Sequence, residues 1–338
     1  MYTCVDSKGP TKIPSRSEVV RLAAGEGVLT ALVVDANVCL DLAGLSRGNL
    51  PPRIRDEVQQ FVQDIAASGA DVLPGFGLAE LCLDRKTWTL NASKLESLER
   101  NISLAIDSAP GRATQRMQDN AVEEIEPVNV EMFRPYIPLF QIFYASLLKV
   151  SLIGTQGFSS NRAISNIQAF LRWMSDDLGC VSALPLQAAV AIFGGDSLAR
   201  RLIGVGRQAH ALPAVWGGAW DVFYVYQLYH ATLFQIGGVP HYPVFVTKDR
   251  ACYDVFSRSR LQGAIRFDEQ RSPLSIGVAS DYPHYEGKQE QVAQLFKTTA
   301  LSRVQKLVDD ERMEQAHLDA TIFRLESEWQ RLHSEGAT

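Results

Sequence analysis

Two rhythms of apolar positions divide this chain. Ala31-Leu32-Val33-Val34 is a continuous apolar run that stops at Asp35, the pattern of a buried strand that delivers a carboxylate at its carboxyl end. Pro51-Pro52 then opens a helix whose apolar positions Ile54, Val58, Phe61, Val62 and Ile65 recur at helical spacing, and Gly69 stops it. Ala70 to Pro74 reads as a second strand, and Leu78 to Leu83 begins another helix with Glu80 in its first turns. Such alternation predicts an α/β fold with a parallel β-sheet flanked by helices. Upstream, residues 1–14 are polar and read as a loose arm, and Ser15 to Glu26 as a short helix.

From Asn91 to Gly217 the strand rhythm disappears. Helical patterns follow one another over Ala92 to Asp107, Met132 to Gly154, Ser160 to Asp177, Pro185 to Gly194 and Asp196 to Gln208, which predicts a large all-helical insertion. After Gly217-Gly218, Trp220-Asp221-Val222-Phe223 opens a helix running to about Ile236. Val244-Phe245-Val246-Thr247 is another buried strand, ending in Lys248-Asp249. Arg250 to Arg260 reads as a helix, Ala264 to Phe267 as an edge strand and Asp268 to Tyr285 as a loop. Glu286 to His333 has the mixed charge and apolar spacing of long amphipathic helices. The predicted organisation is an arm and helix over 1–29, two halves of one α/β domain over 30–90 and 218–267, the insertion over 91–217, and a helical C-terminal tail over 268–338.

Composition narrows the functional classes. The chain has 338 residues, 46% of them hydrophobic, enough for a sizeable core. Its formal net charge of -5 requires any nucleic-acid partner to meet a local basic patch. Five cysteines, Cys4, Cys39, Cys82, Cys180 and Cys252, have no paired spacing and read as reduced thiols of a cytoplasmic protein. Met1 to Gly27 lacks the apolar run of a signal peptide. Ile137 to Ile153 is interrupted by Gln141 and Lys149 and reads as a buried helix, so no membrane partner is expected. Trp216, Trp220, Phe223 and Tyr224 have the helical spacing of core residues, and Arg200, Arg201 and Arg207 that of a charged helix face.

Four acids carry the candidate chemistry. Singly, each has an ordinary explanation: Asp35 as a strand-ending turn former, Glu80 on a solvated helix face, Asp221 as a helix N-terminal acid, Asp249 as a helix cap. Together, Val33-Val34-Asp35-Ala36-Asn37, Leu78-Ala79-Glu80-Leu81, Trp220-Asp221-Val222-Phe223 and Val244-Phe245-Val246-Thr247-Lys248-Asp249-Arg250 resemble the PIN domain family of metal-dependent ribonucleases. The resemblance covers residues 31 to about 90 and 218 to about 267. It implies a PIN-like sheet in which Asp35, Glu80, Asp221 and Asp249 surround Mg²⁺ or Mn²⁺, with Asn37 and Thr247 orienting phosphate. Carboxylates that converge repel one another, and a hard divalent cation removes the repulsion while activating water for phosphodiester hydrolysis. Arg85, Lys86, Lys248 and Arg250 flank these motifs and are candidate phosphate contacts. Asp41, Asp84 and Asp254 read as surface or packing acids.

The function implied is an endoribonuclease acting on RNA, as a toxin or defence effector held by an inhibitory partner or antitoxin, with the C-terminal helices as a surface for self-association. A structure-specific DNA nuclease is an alternative, and so is a catalytically inactive PIN-like scaffold that binds RNA or protein. A phosphotransferase of the haloacid-dehalogenase type would place its nucleophile at Asp35, but it expects a second aspartate where Asn37 stands.

Overall fold

The computed structural model describes residues 2–6, 9–109, 133–205, 212–230, 234–236, 239–249, 264–265, 274–275, 282–295, 298 and 315–335. The chain divides into two compact units, Met1–Pro135 with Gln227–Tyr253 and Tyr136–Tyr226 with Asp254–Thr338.

In the first unit, the stretch expected as a loose arm forms two strands instead, β1 (Thr3–Asp6) and β2 (Gly9–Thr11). Thr3, Cys4 and Val5 suit a pleated, half-buried surface, and their partner is remote in sequence: they pair antiparallel with Thr247, Val246 and Phe245. Next comes α1 (Arg16–Glu26), begun by a capping box between Ser15 and Glu18 and ended by a left-handed Gly27. The apolar run becomes β3 (Leu29–Val34). After it come α2 (Ala36–Arg47), α3 (Pro52–Ser68), β4 (Asp71–Leu73), α4 (Gly75–Cys82) and α5 (Ala92–Asp107). Residues from the other end of the unit add β5 (Phe234–Ile236) and β6 (Val239–Thr247).

The sheet runs β2-β1-β6-β3-β4, with β5 paired to the beginning of β6. β3 is parallel to both β4 and β6, whereas β1 and β5 are antiparallel to β6. The sheet is therefore mixed, not parallel throughout. Phe234 to Ile236, expected as a helix end, form a strand because they pair with His241, Pro240 and Val239. Leu32 and Val34 of β3 and Val244 and Val246 of β6 share one core cluster with Val58, Phe61, Val62 and Ile65 of α3. Leu95, Leu98 and Ile102 of α5 join it, and α5 packs on α2. That helix, expected at the start of the insertion, belongs to the first unit.

The described parts of the second unit are mainly helical. They comprise α6 (Ile137–Gly154), α7 (Ala163–Asp176), α8 (Ala183–Phe193), a 3₁₀ turn over Ala199–Ile203, most of α9 (Leu212–His230) and α10 (Gln315–Glu335). A two-stranded ladder, β7 (Ala264–Ile265) with β8 (Leu274–Ser275), also falls here. Of the helix expected over Asp196 to Gln208, Ala199–Ile203 form that 3₁₀ turn, which a left-handed Gly204 terminates, and residues 206–208 lie outside the described residues. The helix expected over Arg250 to Arg260 lies outside the described residues.

By length and composition the helix spanning Arg134–Gly154 could cross a membrane, but 72% of its apolar window is buried inside the fold. α10 packs on α6 and supplies partners to three of the polar groups that this apolar helix carries. Gln141 donates to Asp319 (2.8 Å) and accepts from Gln315 (2.7 Å), Tyr144 donates to Glu326 (2.6 Å), and Trp329 donates to Ser151 (3.2 Å). Unmatched, such buried groups would each cost about 1–3 kcal/mol. Trp220, Phe223 and Tyr224 are buried, and Trp216 and Trp220 meet Phe140 edge-on or tilted at centroid distances of 4.9 and 4.2 Å. These aromatics are core. Arg200 also turns inward, donating to the Ile192 and Phe158 carbonyls.

Adjacent glycines of α9 give a paired test of this packing. A Cβ on Gly218 would lie 2.0 Å from the Leu202 carbonyl oxygen, whereas one on Gly217 would meet nothing within 4 Å. Gly217→Ala is expected to stabilise the chain by up to about 1 kcal/mol through helix propensity, and Gly218→Ala to destabilise it by ~1–3 kcal/mol through overpacking. Thermal unfolding of the two variants beside the parent checks the opposite signs.

Candidate functional site

Asp35 is placed by the end of one strand and the start of one helix. Its backbone N–H donates to the Val246 carbonyl (3.1 Å), extending the β3–β6 ladder by one step. It is also the N-cap of α2, with Oδ1 accepting from the Val38 N–H at 2.7 Å. Oδ2 accepts from the hydroxyl of the fully buried Thr247 at 2.5 Å, and the Lys248 backbone N–H donates to the same carboxylate. Thr247 Oγ1 in turn accepts from the Asp249 N–H at 2.9 Å. One threonine thus ties the two aspartates together.

Electrostatically this is an expensive place for a charge. Asp35 is 5% exposed, and burial pushes its carboxyl up to about 6 against the downward pull of three hydrogen bonds; the nearby Asp249 carboxylate adds to the rise. An asparagine would cap α2 equally well with no charge to desolvate. The carboxylate is retained where capping alone does not require it.

Glu80 lies in the last turn of α4, not in the first turns of a helix, because α4 begins five residues earlier at Gly75. Gly77 lets α4 press onto the end of β3: a Cβ there would lie 2.6 Å from Cys39 Sγ and 2.7 Å from the Val34 carbonyl oxygen. Cys39 is wholly buried, and its thiol is pushed well above its ordinary range by burial first, then by the charges of Asp35 and Glu80. Both acids are therefore electrostatic neighbours of Cys39. Asp221 belongs to the second unit and lies in the middle of α9, which begins at Leu212. It is half-buried among the buried Trp220, Val222 and Phe223, so the helix-start explanation does not hold either.

Among the described residues, no three His, Cys, Asp or Glu side chains are grouped to hold a metal ion. The expected four-acid set is thus not assembled as one cage. Asp35 and Asp249 do stand at the carboxyl ends of β3 and β6, and β3 lies between β4 and β6 although β4 comes next in sequence. Ligands of open α/β sheets bind where strand order reverses in this way. Two hard carboxylates suit Mg²⁺ or Mn²⁺, since Mg²⁺ commonly takes one or two protein carboxylates and fills its shell with water and substrate phosphate.

The remaining candidates separate clearly. Asn37 is exposed in the first turn of α2, beside Asp35. Thr247 is too buried to meet a substrate and acts on Asp35. Arg85 is half-buried and Lys86 exposed in the loop after α4, where Asp84 Oδ1 accepts from the Lys86 and Thr87 N–H groups at 2.9 and 2.8 Å. Lys248 is ion-paired with Asp41, so its side chain is committed within the protein. Arg250 lies outside the described residues. Sequence reasoning missed Tyr2, Cys39, Asp41 and Gly77 as site neighbours; only Asp41, six residues after Asp35 on the same helix, carried a charge that hinted at it.

Asp35 holds its proton more tightly in the folded chain than at its unfolded value of about 3.9. Its contribution to stability is therefore greatest below about pH 4 and is lost as the pH rises through about 6. Asp35→Asn is expected to stabilise the chain near pH 7.5, by up to roughly 3 kcal/mol, with the gain vanishing near pH 4. Denaturant unfolding across that interval checks it, and a variant less stable than the parent at pH 7.5 contradicts the electrostatic account.

In comparison with known proteins, no family model, curated protein or solved structure matches this chain.

Proposed function

We propose that this chain is a metal-dependent endoribonuclease of PIN-like design whose active edge lies at the carboxyl ends of β3 and β6. The observation that carries the proposal is the buried Asp35 carboxylate, joined through Thr247 to Asp249 and held charged-competent where a neutral cap would be more stable. Asp35 and Asp249 would hold Mg²⁺ or Mn²⁺, with Glu80 a further acid on the Cys39 side of Asp35. A bound ion of this kind supplies Lewis acidity to a phosphoryl oxygen and lowers the pKa of water. Thr247 fixes the Asp35 carboxylate and the Asp249 backbone, which keeps the two acids in register through the reaction. The exposed Asn37 amide would donate to a phosphate oxygen of the substrate. Lys86 is an exposed cation on the loop that follows Glu80.

A catalytically inactive scaffold is the second reading, favoured by the lack of a three-acid group among the described residues. Its signature is RNA or protein binding without turnover.

Cleavage of single-stranded RNA by the purified chain, with Mg²⁺ or Mn²⁺ and with chelator, separates the two. The nuclease reading expects metal-dependent cleavage that falls about 100-fold or more in Asp35→Asn and Asp249→Asn. Metal-independent cleavage, or parental rates in both variants, would remove the assigned site. Asp221→Asn decides the fourth acid: a fall of similar size keeps Asp221 in the catalytic set, and an unchanged rate assigns it to the helical unit alone.

A further inference from the structure

Among the described residues, Trp88 is the one non-glycine with a left-handed backbone, at a φ of 56°. For so bulky a side chain this conformation is strained, and it persists only where surrounding contacts impose it. The loop between α4 and α5 supplies those contacts. Asp84 Oδ1, which accepts from the Lys86 and Thr87 N–H groups, also accepts from the Thr87 hydroxyl at 3.1 Å. The Trp88 N–H donates to the Asp84 carbonyl and the Asp84 N–H to the Thr89 carbonyl, each at 2.9 Å. The Thr87 and Thr89 hydroxyls share a bond of 2.6 Å. At the base of the loop Leu83 bridges to Leu90, and the Asn91 N–H donates to the Cys82 carbonyl at 2.9 Å. The loop is thus a closed frame. Trp88 is carried on it half-buried, so part of its surface stays open to solvent.

This frame is tied to the candidate site through α4. Gly77 lies against Val34 and Asp35, Glu80 is an electrostatic neighbour of Cys39, and the helix gives way to the frame at Leu83. At 1.5 Å per helical residue, Gly77 to Leu83 spans about 9 Å. Lys86 adds an exposed cation to the same frame. A frame that needed only to close would take glycine or asparagine at position 88, since both adopt this φ with less strain. An aromatic ring beside a cation on a preorganised loop is suited to single-stranded nucleic acid, where a base stacks on the ring and a phosphate meets the cation.

We propose that Trp88 is a substrate-binding residue that stacks on an unpaired base of an RNA strand, with Lys86 on a neighbouring phosphate. The proposal rests on the nuclease reading above and narrows its substrate to single-stranded RNA, because a base stacked within a duplex offers no free face to the indole.

Anisotropy of a short fluorescein-labelled single-stranded RNA, titrated with the full chain in chelator, reads this contact without turnover. Trp88→Gly is expected to weaken binding about tenfold and to melt at or above the parental temperature, since glycine takes this φ freely. Trp88→Phe is expected to keep most of the affinity. Abasic substitution along the RNA is expected to weaken binding to the parent about tenfold at one position, and to leave Trp88→Gly insensitive there. A Trp88 that serves folding alone predicts the reverse, a lower melting temperature with unchanged affinity. If Trp88→Gly fails to fold, the abasic series on the parent still decides: equal loss at every position, or none, overturns the proposal. Parental affinity in a folded Trp88→Gly also overturns it and leaves the Asp35 site standing. A parent chain that binds no single-stranded RNA removes the proposal too, while metal-dependent cleavage judges the nuclease reading separately.

Discussion

Everything at the candidate site depends on the parallel ladder between β3 and β6. It runs from Leu29 opposite His241 to Val34 opposite Val246, and it brings Thr247 to Asp35 across 212 positions of sequence. Side chains alternate along a strand, so a slip of one residue would turn Val244 and Val246 out of the core and remove Thr247 from Asp35. The apolar cluster beneath the sheet therefore sets the geometry above its edge. Packing fixes the register, and the register fixes the chemistry.

The same edge shows how a fold tolerates a charge it does not need for stability. Asp35 has hydrogen-bond donors from α2 and from the end of β6, yet burial outweighs them. Around it the protein keeps other demands small. Gly77 allows close approach without displacing Val34, Cys39 fills the space as a neutral thiol, and the Lys248 charge is matched by Asp41. In the second unit Gln141, Tyr144 and Ser151 of α6 each find a hydrogen-bond partner on α10.

Much of the first unit was legible from local pattern. β3, α3, the second half of β6 and the Asp35 and Asp249 positions follow from continuous apolar runs and helical spacing. The misreadings have physical causes, several of them glycines. The apolar pattern starts one helix at Leu78 and another at Trp220, after Gly217-Gly218. In the structure Gly77 and Gly218 lie within helices, where a Cβ would meet the backbone of Val34 and of Leu202 within 3 Å. That shift moved Glu80 to a helix end and Asp221 to a helix middle. β1 escaped notice because four residues carry little periodicity and their partner strand is encoded far away. The placement of Tyr2 and Asp41 beside Lys248 could not be read from sequence for the same reason: it exists only once β1 and β6 are paired.

The division of the first unit into two sequence segments has a consequence for how the protein is made. A ribosome adds about 5–20 residues per second, so β6 emerges roughly 10–40 seconds after β3 at those rates. During that interval the nascent chain carries β3 and β4 with one side of β3 unpaired, while the segment that separates them from β6 is still being synthesised. An unpaired apolar strand edge is prone to pair with other chains. Translation speed and chaperone occupancy over this window thereby become determinants of the yield of the native sheet.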